Sequence, residues 1–200
     1  PVAEGSVGAG MGTVSFGWKG GIGTSSRVLP VAEGGFTVGV LVQTNYGGEL
    51  TIMGVPVRAE DLHMPGNAVA STTSPDGSVM IIIATDAPLS DRNLKRLAGR
   101  SFLGIARTGS AMSNGSGDYA LAFSTAASVR RTTLRREQLH TLEDWPNEHM
   151  TPLFQAVVEA TEEAVYNALF KASDVDGINP GRYPAIPVEQ VLQLLRASGR

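Results

Sequence analysis

The chain has 200 residues, 42% of them hydrophobic and 18% charged, with a formal net charge of -3 and no cysteine. That length and balance suffice for one well-buried globular domain and argue against a disordered chain. A mildly acidic chain offers no basic field to nucleic acid or anionic lipid, and without cysteine there is neither a disulfide framework nor a thiolate nucleophile, so covalent chemistry falls to hydroxyls, Lys and carboxylates.

No apolar run approaches the roughly 20 residues that a membrane-spanning helix needs, and the first residues lack the basic and apolar parts of a secretory signal. The expectation is a protein without membrane or nucleic-acid partners, cytoplasmic, with a periplasmic location left open. The chain begins at Pro1 without an initiator Met and enters a Gly-rich segment at once, which reads as a piece of a longer protein.

In chain order, glycines from Gly5 to Gly23 supply turns around a short strand-like run, Thr13-Val14-Ser15-Phe16. Gly20-Gly21-Ile22-Gly23-Thr24-Ser25 suggests a phosphate loop, but the lysine precedes the glycines and no Gly-Lys-Ser/Thr follows, so the nucleotide-loop template fails. Phe36 to Gln43 and Val79 to Ala84 have the apolar runs of central strands covered on both faces. Between them, Val55 to Asp76 contains Pro56, Pro65, Pro75 and the run Ser71-Thr72-Thr73-Ser74, the composition of a loop. Leu94, Leu97, Ala98, Phe102, Ile105 and Ala106 predict a helix over Asp91 to Arg107, with Ser90 as its cap and Gly109 as its stop. A short strand follows at Tyr119 to Ser124. Thr151 caps a second helix with Pro152 at its first position and Leu153, Ala156, Val157, Ala160, Ala164, Ala168 and Leu169 as its apolar stripe, and Pro187 starts a last helix to about Arg196. Strands early and helices late indicate a layered α+β domain, not an alternating βαβ chain.

The junction Gly77-Ser78 lies between a flexible acidic turn and the buried run Val79 to Ala84, where a self-cleaving hydrolase would place its nucleophile. The same residues describe an ordinary turn entering a strand. Cleavage there would free the amine of Ser78, whose unperturbed pKa of about 7.7 to 8.0 leaves part of it neutral near pH 7 and able to take the hydroxyl proton of the same residue. Asn45, at the end of an apolar strand, offers two N–H donors to an oxyanion, although Asn45-Tyr46-Gly47-Gly48 also suits a hairpin. Lys19 beside the new amine would lower that amine's pKa by like-charge repulsion or stabilise an oxyanion, and it also reads as a solvated surface lysine. Ser116 and Asp118 fall in a small-residue loop leading into a strand.

Asp76-Gly77-Ser78 with Ala84-Thr85-Asp86-Ala87-Pro88-Leu89 resembles the processing site of the DmpA-type L-aminopeptidase/D-esterases and the related β-peptidyl aminopeptidases. Trp18 to Arg27, Val38 to Gly47, Ala106 to Ser110 and Asn114 to Asp118 are similar, in order, to further motifs of the same group. This resemblance covers about Gly10 to Leu195. It implies a four-layer αββα sandwich; processing between Gly77 and Ser78 into an α-chain ending at residue 77 and a β-chain of 78–200; homo-oligomerisation as a tetramer; and no metal or organic cofactor. It also implies a small peptide or an amino acid amide or ester as substrate, Asn45 as oxyanion donor, and Ser116 with Asp118 bonded to the nucleophile region and the substrate ammonium. Well-known relatives carry Glu where this chain has Asp118, one methylene longer.

Other motifs fail on their spacing. Asp174-Val175-Asp176-Gly177 lacks the remaining ligands of a calcium loop and reads as a turn, and His63, His140 and His149 have no partner at helical spacing. Two competing functions stay open at this point: an acyltransferase of the ornithine acetyltransferase kind, and an unprocessed relative without catalysis.

Overall fold

The apolar runs within 37–45 and 78–85 form two long strands along which burial alternates, and they pair with each other at the centre of the only four-stranded sheet among the described residues. The computed structural model describes residues 2–62, 77–177 and 182–200. Its strands are β1 (Val14–Ser15), β2 (Trp18–Lys19), β3 (Ile22–Val28), β4 (Thr37–Asn45), β5 (Thr51–Ile52), β6 (Val55–Pro56), β7 (Ser78–Thr85), β8 (Tyr119–Ser124), β9 (Val175–Asp176) and β10 (Arg182–Tyr183). Its helices are α1 (Asp91–Arg107), α2 (Thr133–Glu137), α3 (Thr151–Phe170) and α4 (Val188–Ala197). The sheet order is β3-β4-β7-β8, antiparallel except for the parallel β7–β8 pair, which α1 connects.

One face of the sheet packs on α1 and α3. Val38, Val40 and Val42 of β4 and Val79, Ile81 and Ile83 of β7 are buried there with Leu97 and Ile105 of α1 and Leu153, Val157, Ala160 and Ala164 of α3. Burying each Val, Leu or Ile contributes on the order of 1.5–3 kcal/mol. The alternate residues point the other way. Gln43 and Asn45 of β4, Met80 and Ile82 of β7, and Tyr119, Leu121 and Phe123 of β8 share the second face, where Tyr119 is 66% and Leu121 59% exposed. The expectation of central strands covered on both sides is therefore corrected: within the described chain, helices cover one side only.

Four further differences are local. β3 was not expected from Ile22-Gly-Thr-Ser-Ser-Arg-Val, because its Gly and Ser content looks like a loop, yet all seven residues pair with β4. The predicted loop from Val55 begins as structure: Val57 and Leu62 are buried, and β6 pairs with β5, while residues 63–76 lie outside the described residues. The cap of α3 is Met150, with Thr151 already helical and Pro152 in its first turn. Asp174 to Gly177 belongs to the β9–β10 hairpin, with Asp174 paired to Arg182 and accepting from the Ala185 N–H.

Small residues set how closely the layers approach. A Cβ placed on Gly23 would stand 1.8 Å from the Ala164 carbonyl oxygen, so α3 rests directly on the backbone of β3. Glycine is required there by contact. Gly99, on the solvent side of α1, has open space around the same position. Replacing Gly23 by Ala should therefore destabilise the fold by about 3 kcal/mol or more, whereas Gly99→Ala should stabilise it by roughly 0.5–1 kcal/mol. Urea unfolding of both variants checks the contrast; equal shifts would show that α3 does not seat on β3.

Candidate active site

The end of the sheet is where the polar residues singled out above meet. β4 and β7 run antiparallel in register from Val38↔Thr85 to Asn45↔Ser78, so Asn45 and Ser78 are directly opposed. Opposed residues of an antiparallel pair turn their side chains to the same face, with Cβ atoms about 5 Å apart. For these two it is the face away from the helices.

Gly77 precedes Ser78 at a point of close approach. A Cβ on residue 77 would lie 3.0 Å from Tyr46 Cα and 3.1 Å from the Asn45 carbonyl oxygen, which explains the glycine by crowding instead of by an unusual φ. Its carbonyl accepts a hydrogen bond from the Gly117 N–H at 3.0 Å, and Gly77 and Ser116 form a parallel bridge. The bond before Ser78 thus has its oxygen held by a backbone donor.

Asp118 lies on the other side of the same junction. Its Oδ1 accepts from the Ser116 hydroxyl at 2.8 Å and from the Val79 N–H at 3.1 Å. The shorter acid still reaches both groups. Ser78, Asn45, Ser116 and Asp118, taken from three separate segments, are brought together at one corner of the sheet. Below them Tyr46 is buried, edge-on to Phe16 at 5.2 Å, and its hydroxyl meets that of Thr108 at 3.3 Å.

Lys19 is not the solvated surface lysine that one reading of the sequence gives. It is 1% exposed, and its Nζ donates to the carbonyls of Gly10 (2.6 Å), Thr13 (2.7 Å) and Gly20 (2.8 Å). With three hydrogens on three acceptors, the ammonium has none left for an oxyanion. Burial pulls its pKa down from 10.5 to about 8. Asn45 Oδ1 accepts from the Val14 N–H at 3.1 Å; because an N–H needs an acceptor, this bond also fixes which side-chain atom is oxygen and leaves Nδ2 pointing elsewhere. A cavity of about 400 Å³ borders Thr13, Val14 and Lys19 and extends to Asp176 and Tyr183.

Two groups bonded at this corner were invisible in the sequence, the N–H of Gly117 and the Thr13–Val14 peptide. Both are backbone, and only the small residues flanking Ser116 hint at the first. Among the described residues no three His, Asp or Glu side chains converge on a common point, and no helix is long and apolar enough to cross a membrane.

The sequence pattern of peptidase family S58 matches residues 1–182. The chain is 41% identical over 209 aligned residues to a protein named beta-peptidyl aminopeptidase BapA from Sphingosinicella microcystinivorans, covering 98% of this chain and 52% of that one. Among solved structures, the PH0078 protein of Pyrococcus horikoshii OT3 superposes with a TM-score of 0.87 at 42% identity, over all of this chain and 54% of that one. The L-aminopeptidase D-Ala-esterase/amidase of Ochrobactrum anthropi, described as a prototype for the serine aminopeptidases and a variant of the Ntn-hydrolase fold, gives a TM-score of 0.86 at 39% identity, over all of this chain and 54% of its own length. The chain has the α+β fold of these neighbours and spans about half the length of the relatives it matches, and its described residues include one four-stranded sheet with α1 and α3 on one face.

The buried ammonium makes stability depend on pH. Lys19 titrates lower in the fold than in the unfolded chain, so between about pH 8 and pH 10 the unfolded chain binds more protons and this group raises stability with pH, by up to about 1.4 kcal/mol per unit. The increment is lost as pH falls back through 8. Tyr46 and Tyr166, pushed up by burial, act in the opposite sense above pH 10 and leave that window clear. Urea unfolding at pH 7.5, 8.5 and 9.5 should show the wild type gaining on Lys19→Met; a gap independent of pH would show that the carbonyls hold Lys19 charged throughout.

Proposed function

This chain belongs to peptidase family S58, and on that footing we propose that it acts as a self-processing serine aminopeptidase that releases small N-terminal residues from peptides, amides or esters, with Ser78 as the N-terminal nucleophile. The observation that carries the reading is the in-register pair Asn45–Ser78, flanked by a Gly77 carbonyl bonded to the Gly117 N–H and by Asp118 bonded beside the nucleophile.

In the first reaction the Ser78 hydroxyl attacks the Gly77 carbonyl carbon. The Gly117 N–H already lies on the oxygen that becomes negative, and the Asn45 Nδ2 hydrogens supply a second donor from the opposed strand. Collapse breaks the C–N bond, leaving an ester between Gly77 and the Ser78 oxygen and a free Ser78 amine. Water then cleaves the ester, giving a Gly77 carboxylate and restoring the hydroxyl. Residues 1–77 end one chain and 78–200 form the next.

In the second reaction the Ser78 amine takes the hydroxyl proton, the oxygen attacks the substrate carbonyl, and the departing amine or alcohol leaves with a proton. Water releases the acyl group. Asp118 Oδ2, the oxygen not engaged by Ser116 and Val79, faces the substrate ammonium in this scheme, which accounts for action at free N-termini. Ser116 holds that carboxylate in place. The layer completing the sandwich, drawn from the other half of the relatives' length, packs on the open face of Met80, Tyr119, Leu121 and Phe123, so the site closes between two layers. Homo-oligomerisation belongs to the same proposal.

Mass spectrometry of the folded protein should show a fragment beginning at Ser78. Ser78→Ala should abolish both that fragment and hydrolysis of alanine p-nitroanilide, and Asn45→Ala should lower kcat on the order of 10²–10³-fold. An intact chain that hydrolyses the substrate at full rate would sink the mechanism. Amides of alanine, D-alanine and β-alanine then rank the substrate classes.

A further inference from the structure

The Thr13–Val14 peptide joins Lys19 to the side chain of Asn45. Its carbonyl oxygen accepts from Lys19 Nζ at 2.7 Å, and its N–H donates to Asn45 Oδ1 at 3.1 Å. A charge-assisted bond on the carbonyl polarises the peptide and strengthens the N–H as a donor. The same ammonium holds the Gly20 carbonyl at 2.8 Å; next along the chain, the Gly21 N–H donates to Thr44 Oγ1 at 3.2 Å and the Thr44 N–H to the Gly21 carbonyl at 3.0 Å. Asn45 is therefore braced from two sides, through its side-chain oxygen and through the backbone of the residue before it. Glycine at 20 permits the approach, since a Cβ there would meet Thr44 Oγ1 at 2.9 Å and the Thr44 carbonyl oxygen at 3.0 Å.

We propose that Lys19 is a positioning residue for the oxyanion donor: its ammonium aligns the Thr13–Val14 peptide, and that peptide locks the Asn45 carboxamide with its NH₂ turned toward Ser78. This rests on the assignment of Asn45 as an oxyanion donor. Lys19 directs its three hydrogens to backbone carbonyls and acts on the rate through Asn45. A free carboxamide is nearly two-fold in its terminal torsion and would present oxygen as readily as nitrogen. Presenting the oxygen to a developing negative charge repels it. The brace removes that wrong orientation, which affects the transition state and leaves ground-state binding unchanged.

A double-mutant cycle tests this, using Lys19→Met, Asn45→Ala and the double variant in the full-length protein, with alanine p-nitroanilide as substrate and rates expressed per chain bearing a free Ser78 amine. Lys19→Met should lower kcat about tenfold with KM within about twofold, and the double variant should match Asn45→Ala within about threefold, because a brace has nothing to hold once its target is gone. A double variant that loses the product of the two single losses overturns the proposal, as does a Lys19→Met enzyme with full kcat and only a lower melting temperature. For any variant that stays uncut, the same cycle is read on the rate of self-cleavage, and Lys19→Gln, which keeps two N–H donors without the charge, serves if Lys19→Met does not fold; full activity in Lys19→Gln overturns the role of the charge. If Asn45→Ala alone retains full kcat, the oxyanion assignment itself fails and the brace with it, an outcome distinct from additivity.

Discussion

The register of β4 against β7 is the constraint on which the site depends. Side chains along a strand alternate between faces, so moving one strand by a single residue would bury Ser78 or Asn45 under the helices and turn Val79 or Thr44 outward. That slip is prevented by the apolar residues themselves. Val38, Val40, Val42, Ile81 and Ile83 all need the helical side, and no register shifted by a single residue satisfies them together. The burial that stabilises the domain and the pairing that opposes a hydroxyl to an amide are one and the same arrangement.

Glycine serves contact more than flexibility in this fold. Gly23 lets α3 lie on β3, and a Cβ on Gly104 of α1 would stand 2.6 Å from the Val158 carbonyl oxygen of α3. Gly77 gives way to the end of β4 in the same manner. A frame whose backbones touch has little room to deform, and it presents the corner of the sheet as a fixed object. The polar groups at that corner are correspondingly short: Ser, Asn and Asp, each bonded to backbone or to one another over 2.8 to 3.1 Å.

Much of this was legible in the residues. The helix at 91–107 and the strand at 119–124 have the predicted bounds, because each is an apolar pattern of clear period ended by glycine or by polar residues. β3 was not legible, since an edge strand with one open face tolerates Gly, Ser and Thr that look like a loop. The buried face of α1 is also set differently from its apolar pattern: Asn93 and Ser101 are buried and Ala106 is exposed. Lys19 was the hardest case. A lysine beside two glycines resembles surface chemistry, and its three partners are carbonyl oxygens that every residue possesses, so no side chain announces them.

Ser78 is the first residue of a strand paired on both sides, with Asn45 across one edge and the Val79 amide tied to Asp118 at the other. A scission at this position would create a chain terminus that cannot wander. Most freshly cut ends fray into solvent and must be recaptured before they are useful; this one would remain clamped by the ladder that held it before, its freedom already surrendered when the sheet formed. Breaking the covalent link would then alter reactivity without loosening architecture.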